Sequence, residues 1–385
     1  MKATATLTMP LWWLLLSLQV NAQKVTLEMN AENFSRQWLS ELATEDLGCN
    51  GTDPYVWREA GYGSNTNYML LAWANAIVGG RNDLSVVMNT QTFFSRTTCA
   101  VASNGVETGV GWSCFFAPMP HVCAFDTTED LFRYNFGRRV SDAENEIIRG
   151  RASGQYMANV SYIQDFLAGS GVGLLEALTN LYEYLLLHLQ PWCKADIQAI
   201  LEEPDIVAMR QGNYVSMHIR RTDKAKEVSS FPEIKTYFEN AVKYLNSSTS
   251  ALAATDITGL WLSTDDDTIV KEVKEMVPDY FPNTSPEAVL CITSRVSTMD
   301  MSQPGIVLAE GDTDRNTYEA RVLLLAEMDM LAGSNVFSGT LSSTLGRLVA
   351  LRRHTLGKPK ESVLSCDFIS EWRPGRFRRL RQVYR

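Results

Sequence analysis

Two apolar periods run through the chain, and their arrangement changes along it. In the second half, short runs with an apolar residue at every other position give way repeatedly to longer stretches with helical apolar spacing. That alternation is the signature of a parallel sheet covered by helices. Strands are predicted over 215–219, 260–263, 289–292 and 335–338, with helices over 232–245, 268–276, 317–331 and 345–353. The first half is less regular. It reads as a polar helix over 31–47, a glycine turn at Gly61-Tyr62-Gly63-Ser64-Asn65 leading into a helix over 66–77, and a strand over 84–88. A Thr-, Ser- and Gly-rich loop with short strands follows over 90–111. The longest helical pattern spans 173–192, where Leu174, Leu178, Leu181, Tyr182, Leu185 and Leu189 form a broad stripe. Pro191-Trp192 is expected to end or kink it, and a helix over 194–203 to close at Pro204.

The most informative stretch begins at Tyr214. Val215, Met217 and Ile219 alternate with Ser216, His218 and Arg220, the period of a strand that buries one face. Charge then gathers at its C-terminal end, in Arg220, Arg221, Asp223 and Lys224. Ligands of open α/β sheets lie beyond the carboxyl ends of the strands, so these residues fall where an anionic substrate would bind. The arginine fork suits a diphosphate; the same residues are equally read as a surface salt-bridge cluster. Two further strand ends converge on that crevice, at 264–267 and 340–344. Ser342, Ser343 and Thr344 open a helix, where they would bind phosphate oxygens or simply cap it. Gly63 likewise offers a glycine turn before a helix N-terminus. Asp265, Asp266 and Asp267 would cap the next helix, or as Asp-x-Asp hold a metal across a nucleotide diphosphate.

Composition narrows the setting. The 385 residues accommodate two domains, divided here near Pro204 into an N-terminal open α/β domain over 23–204 and a Rossmann-like domain over 205–385. A formal net charge of -9 argues against nucleic acid as a partner. The arginine-rich end from Arg373 to Arg385 is read as a solvated terminus, with contact to anionic glycans or membrane as the alternative. Lys2, the apolar run over 11–18 and the small residues before Gln23 make 1–22 a signal peptide or a short type II anchor, the only expected membrane contact. Asn33, Asn50, Asn159, Asn246 and Asn283 begin N-glycosylation sequons, and the 7 cysteines, none in a CxxC pair, are expected to include disulfides. These features place the protein in the secretory pathway, in the Golgi lumen unless cleavage of the leader releases it.

His218-Ile219-Arg220-Arg221-Thr222-Asp223-Lys224 resembles the H-x-R-R-x-D-K signature of the α1,6-fucosyltransferases, which move fucose from GDP-fucose to a glycan. Leu262-Ser263-Thr264-Asp265-Asp266 resembles that family's second motif, and Gly339-Thr340-Leu341-Ser342-Ser343 with Arg347 its third. Gly61-Tyr62-Gly63 and Leu189-Gln190-Pro191-Trp192 extend the similarity, which covers roughly residues 49–355. The resemblance implies a GT-B-like fold of two α/β domains, inversion at the fucose anomeric carbon, and neither metal nor cofactor. It implies that Arg220 grips the diphosphate, that His218 and Glu327 read the guanine, and that Tyr237 with Asp265 or Asp266 completes the donor pocket. Glu227, assisted by Lys224, is the expected general base, one position nearer Asp223 than in the family; Thr344 stands where glutamine is usual. The expected reaction is fucosyl transfer from GDP-fucose to a glycan or glycoprotein, in α1,6-linkage to the GlcNAc of an N-glycan core. The alternatives are a peptide O-fucosyltransferase and a non-catalytic glycan-binding pseudoenzyme. The arginines and Lys224 favour an enzyme, since a binder of sugar hydroxyls needs no diphosphate clamp.

Overall fold

The structure is a computed structural model that describes residues 55–57, 62–78, 84–88, 98–100, 107–110, 114–117, 122–125, 173–221, 231–291 and 318–367. Elements are numbered among these. The leader, the helix expected over 31–47, the sequons at Asn33, Asn50 and Asn159, and Asp223, Lys224 and Glu227 lie outside the described residues. No described helix is long and apolar enough to cross a membrane.

The strand that ends at the arginine motif is the centre of the fold. β6 (Tyr214–Ile219) lies between β7 (Gly259–Thr264) and β9 (Val336–Gly339), flanked by β8 (Val289–Leu290) and β10 (Val363–Ser365), in the order β10-β9-β6-β7-β8. Every pairing is parallel, as the strand–helix alternation predicts. A second parallel sheet, β1 (Tyr55–Trp57), β2 (Leu84–Met88) and β5 (Val122–Phe125), is ordered β1-β2-β5. Between them in sequence, β3 (Thr98–Ala100) and β4 (Glu107–Val110) pair antiparallel. The α/β class expected from the pattern is therefore present. β10 is an addition that three residues could not announce by periodicity.

One expectation for β6 fails. Alternation predicts one buried face, yet all six residues are buried. Helices cover both sides of the sheet: Val215, Met217 and Ile219 join a core with α5 (Ile234–Leu245) and α6 (Asp267–Tyr280), while Tyr214 joins the opposite core. Fully burying such a side chain is worth about 1.5–3 kcal/mol. On that second face the polar residues of β6 serve α7 (Tyr318–Gly333), whose last carbonyls have no partner within the helix. Tyr214 donates its hydroxyl to Met330 O at 2.9 Å, Ser216 Oγ donates to Leu331 O at 2.9 Å, and Arg353 Nη1 donates to Ala332 O at 3.1 Å. Arg353, 1% exposed, also donates to Ser334 O and Asn335 O. The end of α7 is thus fixed against the start of β6.

Prolines mark helix starts here in addition to the helix ends that the sequence predicts. α2 (Leu174–Leu187) stops before Pro191, which opens α3 (Pro191–Leu201), and Pro204 opens a further helix, α4 (Pro204–Gln211). A first-turn residue needs no N–H partner and proline's φ is already helical, so both positions favour initiation. α6 likewise runs through Pro278 to Tyr280, beyond the expected end at Met276. α2 packs on α8 (Thr344–Thr355) and α3 on α7, so one apolar core joins these helices to the sheet. α1 (Tyr62–Val78) completes that core; its Trp73 meets Tyr184 of α2 edge-on with centroids 5.5 Å apart.

Candidate functional site

Because the sheet is parallel, the ends of its strands share one edge. Register places Ile219 beside Thr264 and His218 between Ser263 and Gly339, so the three predicted strand ends do converge. His218 is 5% exposed. The Ser263 side chain hydrogen-bonds Glu327, which α7 presents to the same edge. Burial pushes the Glu327 carboxyl up to about 7, and the Ser263 bond opposes that rise. Near neutral pH the group is poised between its two forms, a frequent property of functional carboxyls.

Beyond β6 the arginines take different positions. Arg221 N donates to Asp265 Oδ1 at 2.8 Å, its Nη2 donates to Pro232 O at 2.9 Å, and its guanidinium lies 5.0 Å from the Phe231 ring centroid. It therefore braces β6 against the end of β7 and ties residue 221 to 232, the two ends of the segment carrying Asp223, Lys224 and Glu227. Arg220 is partly buried at the strand terminus. Asp266 caps α6, its Oδ1 accepting from Thr268 N at 2.9 Å and Thr268 Oγ1 at 2.6 Å. Tyr237 is 1% exposed in the core behind this edge, its hydroxyl pKa raised by desolvation.

The loop after β9 is held by Arg347 and by Asp367. Arg347 donates from Nε to Leu341 O at 2.8 Å and from Nη2 to Ser342 O at 3.2 Å, and burial lowers its pKa to about 10. Ser342 N donates to Asp367 Oδ2 at 2.9 Å, while Asp367 Oδ1 accepts from Ser365 Oγ at 2.7 Å. Ser343 occupies the N-cap of α8 but makes no side-chain cap bond; it is 1% exposed and its hydroxyl has no partner. Capping alone therefore does not account for it.

α1 meets α8 at this point. The helix begins at Tyr62, so Gly63 belongs to its first turn and not to a turn preceding it. A Cβ on Gly63 would lie 2.8 Å from Leu345 N, a clash that explains the glycine by close approach of two backbones. Asn67 Nδ2 donates to Gly63 O and to Thr344 O, each at 2.8 Å. Two helix N-termini consequently lie side by side at the edge that carries Arg220. Asp367 and Asn67 are absent from the sequence-predicted set: one follows the unforeseen β10, and the other looks like an ordinary polar helix position.

A buried parallel strand ending in two arginines, with hydroxyls and paired helix N-termini at its edge, offers the donors that a diphosphate would require. Residues 178–309 match the family described as alpha-(1,6)-fucosyltransferase N- and catalytic domains. The match spans about a third of the chain, and over this segment the chain is similar to that family. No curated protein gives a significant match. Among solved structures the chain is distantly similar to NodZ alpha-1,6-fucosyltransferase co-crystallized with GDP, at 14% identity and TM-score 0.41 over 76% of this chain and 90% of that one. Fucosyltransferase NodZ from Bradyrhizobium gives 15% identity and TM-score 0.38 over the same shares. A mutant of Arabidopsis thaliana FUT1 in complex with GDP gives 12% identity and TM-score 0.40 over 82% and 72%.

Proposed function

We propose that the protein transfers fucose, with inversion, from GDP-fucose to a glycan, in α1,6-linkage to the GlcNAc of an N-glycan core, within the lumen of the secretory pathway. The observation that carries this reading is the meeting of Arg220 and His218, which lie in the matched segment, with Glu327 and two helix N-termini, which lie outside it, at one edge of a sheet. Guanine offers an N1–H and an N2–H side by side, and one carboxylate accepts both; charge-assisted bonds of this kind are about twice as strong as neutral ones. Arg220 and the helix N-termini take the diphosphate. Neutralising the departing diphosphate lowers the barrier to loss of GDP, while an acceptor hydroxyl attacks the opposite face of the anomeric carbon.

Purified protein supplied with several nucleotide sugars should turn over GDP-fucose and leave UDP- and CMP-sugars intact, with EDTA present. Abolition by EDTA and rescue by Mn²⁺ would replace this reading with one in which Asp265 and Asp267 hold a metal.

Glu327 adds a pH dependence. Its elevated pKa means that the unliganded folded state binds a proton more readily than the unfolded chain, so this group's contribution to stability falls as pH rises from the ordinary carboxylate range through about 7. Guanine N–H donors favour the ionised form, so binding below pH 7 must expel that proton. GDP affinity is expected to weaken about tenfold from pH 8 to pH 6, one proton being linked to binding, and Glu327→Gln should flatten the profile. Calorimetric profiles of equal slope in both proteins would remove Glu327 from guanine recognition.

A further inference from the structure

The first turns of α1 and α8 are pressed together more closely than their electrostatics favour. Each helix N-terminus carries about half a positive charge, and the second residues of the two helices, Gly63 and Leu345, are in backbone contact. Like-signed ends at this distance repel unless an anion lies between them or a bond holds them. One side chain does hold them. Asn67, 6% exposed, uses both hydrogens of Nδ2, one on Gly63 O of its own helix and one on Thr344 O of the other, each at 2.8 Å. The partnerless Ser343 hydroxyl lies next to this junction in the chain.

We infer that Asn67 is a positioning residue for the donor diphosphate: it holds the two helix N-termini side by side, so that both can face one anion. The inference rests on the donor reading above. Its physical content is preorganisation. Without the amide, the like-signed ends separate, and the anion must draw them together at its own cost in affinity. A ligand without phosphates does not meet that cost. Both carbonyls belong to first helical turns and keep their main-chain partners four residues on, so losing Asn67 leaves no orphaned acceptor and the fold should survive.

The test compares GDP with guanosine by calorimetry. Asn67→Ala is expected to weaken GDP about tenfold while leaving guanosine within twofold, and to raise the KM for GDP-fucose more than it lowers kcat. Asn67→Leu, which keeps the side-chain volume without donors, should reproduce the result and serves if the alanine variant folds poorly. A general packing defect would weaken both ligands together and would overturn the inference, as would an unchanged GDP-to-guanosine ratio in either folded variant. Failure of the unmodified protein to prefer GDP over guanosine would instead overturn the donor reading itself.

Discussion

Arg220→Lys is expected to weaken GDP binding at least tenfold although the charge is retained. Arg220 directly follows β6, whose six residues are all buried and paired with β7, four of them with β9 as well, so the backbone cannot shift to bring a shorter-reaching ammonium into place. A point charge cannot reproduce the two parallel bonds of the guanidinium fork. Losing one charge-assisted bond of about 1.5–3 kcal/mol corresponds to roughly one to two orders of magnitude in affinity. Calorimetry on the variant, with its fold verified by circular dichroism, measures this directly. Unchanged GDP affinity would remove Arg220 from the diphosphate site.

The largest effect is expected on turnover. Inverting transfer requires a group that takes the proton of the attacking hydroxyl, and Glu227 is the carboxylate that follows the arginine motif, with Lys224 three residues before it to keep it ionised. Glu227→Gln preserves size and removes the base. Turnover should fall by about 10²–10⁴-fold, the usual worth of general base catalysis, while GDP affinity stays within twofold. Near-normal turnover on a verified acceptor would pass the role to another group, with Asp223 the next candidate. Arg221 bears on this step without touching it: by tying residue 221 to Pro232 it joins the two ends of the segment that carries Glu227.

How much of this was legible in the sequence follows from the range of each interaction. Three strands of the larger sheet and its helices were readable because burial imposes a period on many consecutive residues, while the two-residue β8 was readable only as part of the longer apolar run over 289–292. β10 was not, since three residues carry no period, and with it Asp367 was missed. The helix starts at Pro191 and Pro204 were read as stops because proline is compatible with both, and only the residues packed around it decide. Clustering at the sheet edge was foreseeable from parallel topology, which puts every strand's C-terminus on one side. The contact between Gly63 and Leu345 was not, because it joins positions 282 apart, and a glycine required for close approach looks in sequence like one required for a turn.

The bonds that fix the end of α7 set more than stability. Tyr214, Ser216 and Arg353 grip Met330 O, Leu331 O and Ala332 O at the start of β6, and Glu327 lies three residues before the first of these. In an α-helix each residue turns the side chain by about 100° and advances it about 1.5 Å. One residue inserted between Glu327 and Met330 would therefore leave every gripping bond intact, yet swing the carboxyl around the helix axis away from Ser263. The angular setting of the Glu327 carboxyl is written as a residue count, measured from an anchor at the opposite end of the sheet.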